Sequence, residues 1–447
     1  VASVPLCEAL EDRRLFSAGK SPQIDAVLEW NEVTIETLRQ DRSRLGPTQA
    51  ARSLAVVQIA VFDAVEAVKR HFEPILVAAR GRGANASAAA AAAAHRALLT
   101  LYPQQKVRLD AALKVTLRRI ANGDGERRGV SLGRKVANKV LELRHDDGGD
   151  VIDNDTYVFI DPATGIAPVL DKRPIPVEIT PGAWRPDPLN PTQRALGINV
   201  PNCRPFVMTS ADELRPDPPP ALDSAEYAAA YNELVLLGSK ESTARTADQT
   251  EIGVFWAYDR VFRGTPVVIY NQAAKVVANN NQNTMEQNAR LFAQLNVAMA
   301  DAGVCSWDCK YEYNFWRPIT AIRYGDLDNN PATVADPAWK PLGAPGNGVV
   351  FDFTPPFPAY VSGHSTFGAA AFTVLERFYG TDQMNFTLTS DELPGVTRSY
   401  TSFSQASAEN GISRIYLGIH WAFDNTEGQK LGNAVAEEVV AKVAQPR

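Results

Sequence analysis

The sequence predicts an all-α chain: two helical bundles with long irregular connectors, and an active site in the C-terminal bundle. Three observations carry this. Apolar residues recur at three-and-four spacing along most of the 447 residues. No convincing strand ladder appears. Two stretches dense in proline and glycine, 147–222 and 325–358, interrupt the helical pattern. The chain is therefore read as a tail (1–21), an N-terminal bundle (22–146), an irregular connector (147–222) and a C-terminal bundle (223–447). No internal repeat is obvious.

The first bundle opens with "TQAARSLAVVQIAVFDAVEAVKR" (48–70), where Leu54, Val57, Val61, Ala64, Val65 and Val68 form one apolar face. "SAAAAAAAHRALLTLY" (87–102) is rich in alanine, which favours helix and lets helices approach closely. "VRLDAALKVTLRRIA" (107–121) and "GRKVANKVLELRHD" (133–146) continue the series. His95 and His145 are read as structural, since neither has a second ligand at metal spacing. The connector contains "DPATGIAP", "TPGAWRPDPLNP" and "RPDPPP". Its Trp184, Phe206 and Val207 predict packing, and its position suits a roof over a site. Helices resume at 224–239, 246–259, 265–281 and 284–315, then near 363–379 and 414–443.

Composition bounds the function. Apolar residues make up 45% and charged residues 21%, ordinary for a globular protein. The net charge of −6 argues against a nucleic-acid partner. Four cysteines, Cys7, Cys203, Cys305 and Cys309, are too few for a disulfide framework and read as small buried thiols. No apolar run reaches the ~18–20 residues of a membrane span. The chain starts at Val1, and "CEALEDRRLFSA" (7–18) is similar to a short motif near the N-terminus of some exported bacterial proteins. Export to the periplasm or beyond is the expectation.

The chemistry concentrates in three C-terminal segments. "FPAYVSGHSTFGAA" (357–370) sets Ser362, Gly363 and His364 at a helix start, where exposed backbone N–H groups favour an anion. "KYEYNFWRP" carries Lys310 and Arg317, seven residues apart, so a continuous helix would place both cations on one face. "SRIYLGIHWAFD" carries Arg414, His420 and Asp424; the carboxylate lies four residues from the imidazole and can orient it. Each piece has a plain alternative: a solvated helix face, a helix cap, a packed aromatic. Together they are the inventory for a tetrahedral oxyanion, with cations to neutralise it and a histidine to bond its central atom.

These segments resemble the motifs of the vanadium-dependent haloperoxidases and the type-2 phosphatidic acid phosphatase superfamily. "WAYD", "GTP", "YNQ", "FWRPITAIR", "DPAWKPLGAP" and "PPFPAYxSGHxTFG" look like the soluble chloroperoxidase branch. The resemblance covers the C-terminal half; the N-terminal helices fit less specifically. It implies vanadate as cofactor, with phosphate or sulfate as stand-ins. Lys310, Arg317, Ser362, Gly363, Arg414 and His420 would bind it, His420 through the metal and His364 as acid–base. Trp307 and Phe357 would line the halide pocket. Asp259 would pair with a site arginine and Asp424 would support His420. Val361 stands where the motif usually has proline, which predicts a small change in loop stiffness.

The implied reaction oxidises halide, bromide and by extension chloride, with hydrogen peroxide to hypohalous acid. His364 would take the peroxide proton and Lys310 would polarise the bound peroxide. The alternative is an acid phosphatase with His420 as nucleophile. A third reading is a non-catalytic anion-binding scaffold. The extra helical half, the connector and the aromatic walls favour the peroxidase. Expected partners are peroxide, halide and a small organic acceptor, with no nucleic acid and no membrane span. The family's long amphipathic helices further suggest a homodimer.

Overall fold

The structure is a computed structural model, and it describes residues 25–41, 46–149, 180–191, 195–260, 263–346 and 354–447. The export-like motif, Cys7, connector residues 150–179 and loop residues 347–353 lie outside the described residues.

The first half contains α1 (Ala26–Arg39), α2 (Pro47–Lys69), α3 (Ala86–Leu101), α4 (Lys106–Arg118) and α5 (Asp124–Leu143). The second contains α6 (Ala225–Glu233), α7 (Ala247–Phe255), α8 (Val267–Asn280), α9 (Met285–Tyr313), α10 (Pro318–Arg323), α11 (Gly363–Tyr379), α12 (Phe403–Tyr416) and α13 (Ala422–Lys442). α2 starts with Pro47 in its first turn, and α9 starts with a Thr284–Gln287 capping box. α2 and α9 pack on one another within one apolar core that spans both halves. Among the described residues no helix is long and apolar enough to cross a membrane. Cys203, Cys305 and Cys309 are buried.

The mostly helical reading holds, with three corrections. A β-hairpin, β1 (Gln383–Thr389) and β2 (Thr397–Ser402), pairs antiparallel between α11 and α12. Only Phe386 and Leu388 of β1 are buried, so its alternation is short. The segment 414–443 is the end of one helix and the whole of another. The break contains Gly418 at φ 71°, where a Cβ would lie 2.3 Å from the Gly238 carbonyl oxygen.

The third correction is that the chain does repeat. Gly129-x-x-Leu132-Gly133-x-x-Val136-Ala137-x-x-Val140 of α5 recurs as Gly428-x-x-Leu431-Gly432-x-x-Val435-Ala436-x-x-Val439 of α13. The glycines do the same work. A Cβ on Gly133 would meet Ala89 O at 2.2 Å, and one on Gly432 would meet Thr366 O at 2.3 Å. These contacts are on α3 and α11, whose N-caps are Asn85 and Ser362. Asn31 of α1 bonds Gln58 of α2, as Asn271 of α8 bonds Asn296 of α9. Trp30 meets His95 edge-on at 6.1 Å, and Tyr270 meets Phe372 edge-on at 6.1 Å. Asp63 of α2 and Asp301 of α9 each accept three consecutive backbone N–H groups.

Those three N–H groups on Asp301 belong to Phe206, Val207 and Met208, so the described connector is strapped along α9. Arg215 pairs with Asp308, and Tyr313 donates to Pro216 O at 2.6 Å. The Leu196 carbonyl accepts from the Trp307 indole at 3.2 Å and the Tyr311 hydroxyl at 2.5 Å. The Leu196 N–H donates to Pro356 O at 2.8 Å, which joins the strap to the second irregular loop.

Candidate oxyanion site

α9 ends at Tyr313 because Asn314 takes a left-handed conformation, φ 48°. Arg317 therefore does not continue the helix of Lys310. It is the N-cap of α10 and comes back to the site through the turn. The expectation of one shared helix face is corrected, although both cations reach the same region and both are buried.

The Lys310 ammonium donates to the carbonyls of Pro358 (3.1 Å), Ala359 (3.0 Å) and Val361. Its three N–H groups thus hold the loop before Ser362. Its Nζ also lies 5.0 Å from the Phe357 ring centroid and 5.6 Å from that of Trp307. Arg317 donates from Nε to Phe357 O at 2.8 Å and from Nη1 to Ile419 O at 2.7 Å. Nη1 also lies 3.0 Å from His420 Nε2.

His420 is placed by the break between α12 and α13. Its Nδ1–H donates to Asp424 Oδ2 at 2.8 Å, and Oδ2 also accepts the Trp421 N–H at 3.1 Å. A carboxylate on Nδ1 leaves the Nε2 lone pair as the ring's basic site. Arg414, near the end of α12, donates from Nη2 to Asp259 Oδ2 at 2.7 Å.

Ser362 caps α11, with its Oγ 3.4 Å from the Ser365 N–H, and its own N–H donates to Asp424 O at 3.0 Å. The peptide bond Tyr360–Val361 is cis. Gly363 begins α11 against the Trp307 ring, which a Cβ would meet at 3.1 Å. The first N–H groups of a helix have no intrahelical partner, so this turn offers backbone donors. His364 donates from Nε2 to Ala257 O at 2.8 Å, leaving Nδ1 as its base. Trp307 and Phe357 pack at 4.8 Å and form a buried aromatic wall beside the cations.

Sequence reasoning missed the Ala257 carbonyl, and the contacts of Leu196 and Gly197 with Trp307. It also missed Tyr270 and Asn410, which donate to the His364 carbonyl at 3.1 and 2.8 Å. Backbone carbonyls leave no residue signature.

The electrostatics favour an anion. Among the described residues, Arg414 pairs with Asp259, and Asp424 is the carboxylate that most opposes the burial of Lys310 and Arg317. Burial pushes Lys310 well below its ordinary value, with Arg317 adding to the shift. Burial takes Arg317 down to about 9, with Asp424 opposing and Arg414 reinforcing. Burial first, and then the cations, push His420 well down and His364 to about 3. Asp424 is raised to about 7 by burial. Three buried guanidinium nitrogens, Arg317 Nη2 and Arg414 Nε and Nη1, have no hydrogen-bond partner among the described residues. Unpartnered buried charge of this kind costs several kcal/mol, of the order that a bound oxyanion recovers. Planar guanidinium donors, a serine hydroxyl, helix N–H groups and one imidazole lone pair fit vanadate, and fit phosphate as a tetrahedral analogue.

Residues 290–447 match the family model for the second helical-bundle domain of VCPO. Vanadium chloroperoxidase of Curvularia inaequalis is 33% identical over 270 residues, 48% of this chain and 44% of that protein. The chain thus spans less than half the length of that curated relative. The crystal structure of a bacterial vanadium-dependent iodoperoxidase aligns with a TM-score of 0.74 at 26% identity, over 95% of this chain and 98% of that one. A holo-type bacterial vanadium-dependent chloroperoxidase aligns with a TM-score of 0.66 over 92% of this chain and 96% of that one. At 16% identity that likeness concerns the fold alone.

Proposed function

We propose that this chain is a vanadium haloperoxidase, a vanadate-dependent enzyme that oxidises halide with hydrogen peroxide to hypohalous acid. The observation that carries the reading is the set of unpartnered guanidinium nitrogens on Arg317 and Arg414, close to an imidazole lone pair. Arg317, Arg414, Ser362 and the Gly363 N–H would hold vanadate, and His420 Nε2 would supply the protein's bond to the metal; Lys310, expected to bind the anion and polarise peroxide, instead gives its three N–H groups to the carbonyls of Pro358, Ala359 and Val361. Bound vanadate supplies an electrophilic pentavalent centre that activates peroxide without changing oxidation state.

The chain's own residues do the rest. Asp424 fixes the His420 tautomer so that Nε2 stays basic. The Ala257 carbonyl fixes His364 so that Nδ1 takes and returns a proton. Lys310 holds the carbonyls of Pro358, Ala359 and Val361 and with them the entry to α11. Trp307 and Phe357 exclude water from one wall, which favours a weakly solvated halide. A small organic acceptor, a homodimer and an exported location belong to the same reading.

The test is oxidation of iodide, bromide and chloride by the vanadate-loaded chain with peroxide, beside phosphomonoester hydrolysis by the vanadate-free chain. Halide oxidation that requires vanadate supports the reading. Hydrolysis without halide oxidation would replace it with the phosphatase, and binding without either reaction with the scaffold.

A further inference from the structure

The β1–β2 hairpin is a part of the second half that the first half lacks. In the first half α3 runs into α4 through residues 102–105, whereas in the second half residues 380–402 separate α11 from α12. We propose that this hairpin is a positioning element for the oxyanion site, acting through residues 255–260; the inference rests on the oxyanion-site reading above.

The segment 255–260 faces two ways. Ala257 gives its carbonyl to His364 at 2.8 Å, and Asp259 gives its carboxylate to Arg414 at 2.7 Å. The residues around these two are held by the hairpin. Ser390 donates to Phe255 O at 2.6 Å. The Trp256 indole donates to Glu409 at 3.0 Å, and Glu409 also accepts from Arg398 and Tyr400 of β2. The Asp391 N–H donates to the Tyr258 hydroxyl at 2.9 Å. Arg260 forms an ion pair with the buried Glu392 and also donates to its carbonyl at 3.2 Å. Tyr258, between the two residues that face the site, is buried and sits at φ 49°. A non-glycine residue in that region persists only where its surroundings fix it. Here the hairpin loop supplies much of that fixing, and Gln272 adds a bond from the Tyr258 hydroxyl at 3.2 Å.

Among the described residues, Glu392, Asp391 and Ser390 make no hydrogen bond or ion pair with the anion-binding side chains or the aromatic wall. They are positioning residues: they set where Ala257 and Asp259 stand, and these in turn aim His364 and Arg414. Loosening the loop therefore weakens oxyanion binding and slows turnover, but leaves the halide wall of Trp307 and Phe357 unchanged.

Glu392→Gln keeps the side-chain shape and removes the ion pair with Arg260. Phosphate and orthovanadate affinities are measured by isothermal titration on the vanadate-free chain; kcat and halide KM are measured on the loaded chain. The expected result is a three- to tenfold weaker Kd for both oxyanions, a lower kcat at saturating vanadate, and a halide KM within twofold of wild type. Thr387→Ala, which removes an exposed strand-to-strand bond to Ser399 in the same hairpin, keeps wild-type oxyanion affinity. If Glu392→Gln does not fold, Tyr258→Phe tests the same link and gives a weaker Kd in the same sense. Wild-type Kd values in the folded variant overturn the inference. So does a Thr387→Ala variant that loses as much affinity, since the effect is then one of general stability. A wild-type chain that binds neither oxyanion overturns the oxyanion-site reading itself.

Discussion

Replacing Gly197 by alanine should disturb the halide wall while sparing the oxyanion donors. Gly197 sits at φ 77°, and an added Cβ would lie 2.3 Å from Trp307 Nε1 and 2.7 Å from Cδ1. Neither ring atom can yield without moving the whole indole, and the neighbouring Leu196 carbonyl accepts that indole's N–H. A non-glycine residue in the left-handed region costs roughly 1–2 kcal/mol. Weakening a buried indole hydrogen bond adds about 1–2 kcal/mol. The sum is about 2–4 kcal/mol. At roughly 2.1 cal/mol/K of unfolding entropy per residue, a chain of 447 residues loses about one degree per kcal/mol, so Tm should fall about 2–4 °C. The functional consequence is larger than the thermal one, because Trp307 contacts Phe357 at 4.8 Å and the face of Gly363. Halide KM should change several-fold, while phosphate affinity stays within twofold. Near-UV circular dichroism reports the indole directly, and steady-state kinetics report the halide. A variant with wild-type Tm, near-UV spectrum and halide KM would refute the argument that the strap sets Trp307.

His420→Ala should abolish tight vanadate binding in titration, since the anion is then held only by ionic and hydrogen-bond contacts with no protein bond to the metal. His364→Ala should keep vanadate bound and lower turnover by roughly 10²–10⁴-fold, the range for losing an acid–base group. If both variants lose binding equally, the division of roles fails. Asp63 offers a pH test outside the site: burial raises its carboxyl from 3.8 to about 6, against the pull of the Ile75, Leu76 and Val77 N–H groups. The native state then keeps a proton that the unfolded chain has lost, so this group's contribution to stability falls as pH rises from about 4 to about 6. The change is on the order of 3 kcal/mol. Relative to Asp63→Asn, wild type should lose Tm across that window and no further above it; parallel profiles would refute the shift.

The parts of the site that require a residue type at short spacing were legible in the sequence. Ser362, Gly363 and His364 are contiguous, and Asp424 lies only four residues after His420, within reach of its ring although His420 stands just before α13. Lys310 and Arg317 meet in one region by a turn and not along one helix face, and nothing in "YEYNF" announces that Asn314 will turn left-handed. The hairpin was hidden by its length, with two buried residues on one face of β1. The repeat was hidden by its sparseness. It survives as a glycine–leucine–glycine–valine–alanine–valine pattern on one helix pair, while the partner helices share shapes rather than letters. Asn85 and Ser362 are both caps, and His95 and Phe372 are both edge-on rings, yet no residue comparison equates them.

The two copies of the repeat differ at their caps. At the cap of α3 the chain reads Asn85-Ala86-Ser87, followed by buried alanines from Ala88 to Ala94. At the cap of α11 it reads Ser362-Gly363-His364, and Gly363 lets the Trp307 ring approach the first turn. Both caps are gripped by a glycine pair on the facing helix, so the same packing supports a neutral end and a charged one. The difference lies in what surrounds the second cap. Burying Arg317 and Arg414 would be strongly destabilising in an apolar bundle. The second half offsets part of that cost with Asp259, Asp424 and the carbonyls of Phe357 and Ile419. Two of these supports, Asp259 and the loop carrying Phe357, lie outside the helices that the two halves share. What stays unsatisfied is the set of guanidinium nitrogens that a tetrahedral oxyanion would complete. The repeated bundle supplies the rigid frame and, on α9, α12 and α13, the side chains of Lys310, Arg414 and Asp424, while the segments outside it supply Asp259 and the Phe357 carbonyl that hold the two arginines.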